Sequence, residues 1–140
     1  MLKLKIVSIG KTKETWLNEA IDEYLKRLSP ILQIEFVLLK NDDQLIDYLK
    51  NEPRILCLDA AGKSFTSEQF STFIQQEFIQ GKSRLAMVIG GAEGLPSVLK
   101  SNHKTFSLSP MTMTHQIVRL FLVEQIYRAF EIAKGSKYHK

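Results

Sequence analysis

Three short stretches of this sequence bring together residue types that can approach or act on a ligand: DAAGK at 59–63, IGGAEGLP at 89–96 and SLSPMTMTH at 107–115. The second holds Gly90, Gly91 and Gly94 directly after an apolar run. A glycine-rich turn between strand and helix lets backbone approach a ligand closely, and phosphate is the usual guest. Here Glu93 sits in the middle of the turn. A carboxylate competes with phosphate for the positive end of the following helix, so the turn suits a ligand without phosphate, or one bearing positive charge. The dinucleotide fingerprint G-x-G-x-x-G fits these glycines in no register, and the turn follows the fourth strand pattern instead of the first. A close-packed turn with Glu93 in solvent is the competing reading, and spacing alone leaves both open.

Gly62-Lys63-Ser64 looks like the end of a phosphate-binding loop. The full pattern needs a glycine where Cys57 stands, and it would place Asp59 among the amides meant for phosphate. A turn in which Asp59 caps backbone amides, with Thr66 or Ser67 starting the next helix, explains the residues better. His103, His115 and His139 pair neither with one another nor with carboxylates at metal-ligand spacing, so no metal site is expected. His115 stands at the start of the last helical pattern, where a neutral imidazole can face a ligand, although capping or solvent-facing histidines are commoner there. Arg119 and Arg128 lie on that otherwise apolar pattern and call for a carboxylate or phosphate partner, with Glu124 and Glu131 as structural candidates. The end, KGSKYHK, gathers Lys134, Lys137, His139 and Lys140 around Tyr138. Phosphate contacts beside a stacking ring are what an unstacked base needs, but short basic tails are more often merely solvated.

The elements that must position these residues follow from hydrophobic periodicity. Alternation predicts strands over 2–9, 33–39, 54–58, 84–89 and 104–108, and helical spacing predicts helices near 14–28, 42–50, 67–79, 96–100 and 114–133. The alternating order implies an α/β fold, a mostly parallel sheet with helices on both faces. In such folds ligands sit beyond the carboxyl ends of the strands, and all three suggestive stretches leave from those ends. The last helix is apolar around most of its circumference, which a homodimer interface or simple core packing would explain equally well.

At 140 residues and 16.1 kDa, with 44% hydrophobic residues, the chain is expected to form one domain. Its net charge of +4 permits an RNA partner without demanding one. Cys57 is the only cysteine, which excludes an intrachain disulfide framework or a multi-cysteine zinc site and suits a reducing cytoplasm. The start, MLKLKIVSIGK, reads as a strand instead of a signal peptide, and no apolar run is long enough to cross a bilayer.

A strand followed by IGGAEGL, then SLSPMTMTHQIVRLFLVEQIYRAFEI and a terminal YHK, resembles the bacterial ribosomal large-subunit pseudouridine N3-methyltransferases of the SPOUT superfamily. The likeness also takes in KLKIVSIGK, EYLKRL and LCLDAAGK, and is densest from residue 84 onward. It implies a trefoil knot in the C-terminal half, S-adenosyl-L-methionine as cofactor, a homodimer, and a pseudouridine of 23S rRNA as target, in assembled ribosomes. The resemblance places cofactor contacts on Leu58, Gly91, Ser109, Pro110, Met111, Thr112, Met113 and Thr114, with Gly90, Glu93 and Gly94 shaping the neighbouring wall. It implies that Tyr138, His139 and Lys140 reach the partner's active site, with Tyr138 positioning the base and His139 or His115 accepting a proton. Arg119, Arg128, Lys137 and Lys140 are then the expected RNA contacts. Ala92 stands where the family often has proline, Lys140 replaces its terminal arginine, and the chain is short near 40–53. A non-enzymatic ribosome-associated RNA-binding protein and a SPOUT methyltransferase acting on tRNA are the alternatives.

Overall fold

The computed structural model describes residues 1–140. Strands and helices alternate as β1 (Leu2–Ile9), α1 (Thr15–Leu28), β2 (Leu32–Leu39), α2 (Asp42–Leu49), β3 (Ile55–Ser64), α3 (Ser67–Gln80), β4 (Arg84–Ile89), α4 (Ser97–Asn102), β5 (Lys104–Ser107) and α5 (His115–Lys134). All five strands are parallel, in the order β2-β1-β4-β3-β5. The expected α/β sheet is present, and its carboxyl ends all lie on one edge.

Alternation along the inner strands divides the core in two. Leu85, Met87 and Ile89 of β4, Leu4 and Ile6 of β1 and Leu56 of β3 point into one layer, closed by α1, α3 and α5. Ala86 and Val88, Val7, Ile55 and Cys57 point into the other, closed by Leu45 and Leu49 of α2 and by Leu95 and Leu99 around α4. Period-two burial on both faces is what fixes the parallel register, because a one-residue slip would exchange the two layers. Helix ends are set by local chemistry: Asn41 accepts from Gln44 N, and Thr66 and Gln69 form a capping box ahead of α3.

The wide apolar circumference of α5 finds its partners within the chain. Leu122, Val123, Ile126, Ala129 and Phe130 are buried, Phe130 packs on Phe78 of α3 at 6.2 Å, and Tyr127 packs on Tyr24 of α1 at 5.9 Å. Phe121, 42% exposed, is the one large apolar side chain of α5 left open to solvent. Intrachain packing against α1, α3 and the sheet therefore accounts for most of the pattern.

The stretch DAAGK is not the free loop expected after the third strand. Pairing between β3 and β5 shifts register between Leu58 and Lys63, so that Phe106 is the partner of both residues, and the strand resumes through Ser64. Asp59 accepts from Ala61 N at 3.3 Å within this bulge, which matches the capping role read from sequence. A Cβ on Gly62 would lie 2.9 Å from Phe106 N, so close backbone approach, not phosphate binding, accounts for this glycine.

Glu77 of α3, its side chain only 3% exposed, accepts from Arg54 Nε at 2.9 Å and from Lys104 Nζ at 2.9 Å, which ties the entries of β3 and β5 to the helix. Burial alone would raise its pKa, but the hydrogen bonds from Arg54 and Lys104 outweigh it and hold the carboxyl below its ordinary value. A depressed folded-state pKa stabilises fully above the unfolded value of about 4.3, and that contribution is lost as pH falls through the folded value. Glu77→Gln is expected to lower Tm at pH 7 by roughly 5–8 °C, from about 2 kcal/mol, and to narrow this gap at acid pH. An unchanged melt at pH 7 would contradict the tie.

Candidate functional site

Beyond the carboxyl ends of β3, β4 and β5 lies a cleft of about 720 Å³. Leu58, Gly90, Gly91, Gly94, Ser109, Met111, Thr112, Met113, Thr114 and His115, singled out from three separate stretches, line it together. Glu93 and Pro110 do not; both are exposed. The expectation of Glu93 in the wall and of Pro110 among the cofactor contacts is corrected: neither lines the cleft, although Ala92 of the glycine turn does. Of the two readings of the glycine turn, close packing and ligand approach, the structure supports elements of each.

Gly90 is the packed part. A Cβ there would lie 2.6 Å from Gly94 C and 2.7 Å from Leu95 N, because the turn folds back on itself with Gly94 N donating to Gly91 O at 3.0 Å. Gly91 is the open part, where a Cβ would meet only Ile9 side-chain atoms at 3.7–3.9 Å. Backbone at Gly91 thus faces the cleft between the ends of β1 and β4 without being crowded by the turn itself.

Arg119 is not at the surface, and the expectation that it contacts RNA is corrected. It is 0% exposed, and its guanidinium donates to Ser8 Oγ, to Ile9 O and Gly10 O at 3.0 Å each, and to Thr12 Oγ1 at 2.7 Å. No carboxylate pairs with it; hydroxyls and the carbonyl dipoles at the end of β1 satisfy its donors, and burial lowers its pKa. The anionic partner that its sequence context called for is replaced by a fixed cage of neutral acceptors. The consequence for the site is positional: Arg119 pins α5 to the turn that carries Ile9 and Gly10.

One turn earlier, His115 is half-buried in the cleft wall, near enough that a Cβ on Gly10 would lie 3.5 Å from its Nε2. Burial, with Arg119 and Lys13 nearby, lowers its pKa, so the ring is neutral at physiological pH. Cys57 precedes the cleft residue Leu58 on β3, but burial pushes its thiol up to about 11, and it belongs to the core.

The tail takes a different place. Tyr138 donates to Glu124 Oε2 at 2.7 Å and stacks edge-on to Tyr127 at 4.7 Å, with Arg128 over its ring at 4.8 Å. Burial and the bond to Glu124 raise the phenol's pKa, so it acts as a neutral donor. Arg128 is paired with Glu124 at 2.8 Å, as its sequence context suggested, and also lies 3.1 Å from His139 Nδ1. Arginine can only donate, so Nδ1 accepts and the ring proton sits on Nε2, donating to Glu68 Oε1 at 2.9 Å. Lys137 and Lys140 are exposed. Glu124 lines a second cleft of about 690 Å³ with Phe65, Phe121 and Gln125, and this cleft shares Ser107–Ser109 and Met111–Met113 with the first. Tyr138 and His139 line neither.

Sequence reasoning named the stretches that hold Asp59 and Ser107 without assigning either to the ligand site, and missed Val118 of the cleft wall and Ile9 behind Gly91. Ile9 and Val118 carry only a core signal, and Ser107 closes a strand pattern like any small residue. The two glycines differ in a measurable way: Gly90→Ala is expected to lower Tm and deform the cleft, whereas Gly91→Ala is expected to melt normally, with its effect confined to ligand affinity measured by calorimetry. Equal melts for both variants would contradict the packed role of Gly90.

A family profile described as "Predicted SPOUT methyltransferase" matches residues 2–139. A protein of Protochlamydia amoebophila named ribosomal RNA large subunit methyltransferase H is 56% identical across 100% of both chains. Proteins of the same name from Symbiobacterium thermophilum and Bacillus thuringiensis are 37% and 36% identical, over 99% of this chain and 100% of theirs. Among solved structures, a probable methylase family protein of Haemophilus influenzae superposes with a TM-score of 0.60, over 98% of this chain and 70% of that one; at 12% identity this likeness concerns the fold alone. With the parallel sheet, the glycine turn and the loop after β5 meeting at one cleft, these end-to-end matches establish that the chain belongs to the SPOUT methyltransferase family.

Proposed function

We propose that this chain methylates N3 of a pseudouridine in the 23S RNA of the large ribosomal subunit, with S-adenosyl-L-methionine as methyl donor. It acts in the cytoplasm on assembled ribosomes, as a homodimer of single-domain subunits whose C-terminal half carries the trefoil knot that family membership implies. The observation that carries this reading is the meeting of the glycine turn and the 107–114 loop at one cleft, in a chain whose full-length relatives bear a large-subunit rRNA methyltransferase name.

The cleft fits the cofactor on physical grounds. Its volume of about 720 Å³ is in the range of small-molecule sites, and its walls mix apolar side chains with a few polar groups. Gly91 leaves uncrowded backbone, and the Ser107 hydroxyl is buried without a partner. Lys100, a lining cation, lies 3.9 Å from Asp59, so the site is not built as a phosphate cradle. Leu58, Gly91, Ser109 and residues 111–114 would hold the cofactor, which when bound supplies a methyl group on a positively charged sulfur.

The residues of the chain then have two tasks, alignment and proton removal. Apolar walls and the packed turn exclude water and hold the base in line with the methyl group. The N3 proton must leave as the new N–C bond forms, and His115, neutral and in the cleft wall, is the acceptor we favour. His139 is the weaker candidate because its Nδ1 lone pair is engaged by Arg128. Tyr138, with Arg128, Lys137 and Lys140, would contact the RNA at the neighbouring subunit's cleft; that the tail lines neither cleft of its own chain supports delivery across a dimer.

Labelled methyl transfer from S-adenosylmethionine to ribosomes tests the assignment. The intact chain is expected to label 23S RNA, and a chain ending at Lys137 is expected to lose transfer while keeping its affinity for the cofactor. Full transfer by the truncated chain would remove the tail's role. Ribosome binding without transfer by the intact chain would identify a non-catalytic binder, and label found in tRNA would move the substrate.

A further inference from the structure

We propose that Ser107 is a specificity residue whose hydroxyl makes the buried side-chain hydrogen bond to the polar edge of the cofactor's adenine. This rests on the cleft being the S-adenosylmethionine site. Ser107 closes β5 at the seam of the two clefts and is 4% exposed, and its Oγ has no hydrogen-bond partner within the chain. A buried hydroxyl without a partner is costly, and alanine would fill the same place without that cost. Such a group is explained by a ligand that completes it.

The other hydroxyls of the loop are already engaged or open to water. Ser109 Oγ accepts from Met111 N at 3.0 Å, and Thr114 Oγ1 accepts from Ile117 N at 3.3 Å as the cap of α5. Thr112 is exposed. That leaves Ser107 as the hydroxyl of this loop that is both buried and free. Around the cleft stand Leu58, Leu95, Leu108, Met113 and Val118, walls suited to the flat faces of a heteroaromatic ring. Adenine presents an amino donor beside ring-nitrogen acceptors, and a serine hydroxyl can serve as partner to either. A carboxylate or phosphate would find no unpaired cation at this seam.

Calorimetric titration of S-adenosylhomocysteine into Ser107→Ala, together with thermal melts of the unliganded proteins, tests the assignment. Affinity is expected to fall about tenfold, about 1.4 kcal/mol, while the unliganded Tm stays level or rises because an unpartnered polar group has been removed. Adenosine titrated alone is expected to show the same loss, since the amino-acid arm takes no part. Unchanged affinity for either ligand would overturn the proposal, and so would a lower unliganded Tm, which would mark the hydroxyl as structural. Weaker RNA binding with cofactor affinity intact would also overturn it and assign Ser107 to the acceptor base. Failure of the unaltered chain to bind S-adenosylhomocysteine is a separate result, which would remove the assignment of the cleft itself.

Discussion

Arg119 carries its charge at a fully buried position, and every group that compensates it belongs to the end of β1 or the turn that follows. A buried ion is tolerated only where its hydrogen-bonding geometry is complete, so this cage ties α5 to the end of β1 at a defined position. Three positions in or directly behind the cleft wall inherit that constraint. Ile9, whose carbonyl Arg119 holds, is the side chain that faces Gly91; Gly10, also held, faces His115; and His115 itself stands one turn before Arg119 on α5. The same charge helps keep His115 neutral. One side chain thus anchors the cleft wall and adds to the burial that lowers the pKa of the group best placed to take a proton.

Much of this was legible in the sequence, and the exceptions have physical reasons. Strong period-two and period-3.6 patterns gave every element, because each strand here is buried on at least one face and each helix packs on the sheet. β3 ran past its expected end because its last residues are exposed and pair only after a bulge, which no hydrophobic alternation records. Gly62 was understood as not belonging to a phosphate loop, but its actual cause, contact with the backbone of Phe106, is long-range. Arg119 was misread because sequence context shows the lack of a nearby carboxylate partner and not the presence of carbonyls some 110 residues earlier in the chain, Ile9 and Gly10 among them. Glu93, whose charge disfavours phosphate in the turn, is exposed and stands outside the cleft.

The two clefts meet along the 107–113 segment, so a molecule in one and a molecule in the other would touch opposite sides of the same short loop. That arrangement suits a transfer reaction, in which donor and acceptor must be held in contact and water kept out. The tail is organised by Glu124, which lines the second cleft, and by Arg128 and Glu68, with Tyr138 as a neutral donor and His139 held in one tautomer. It is therefore a preformed surface and not a loose basic appendage, which is more than its composition suggested.

If this cleft serves methylation of a pseudouridine in large-subunit RNA, the modification must depend on the gene. Mass spectrometry of 23S RNA from a strain lacking the gene, beside the same strain with the gene restored, tests it most directly. One pseudouridine is expected to lack a methyl group on N3 in the deletion strain and to regain it on complementation. Identical large-subunit RNA in both strains would contradict it.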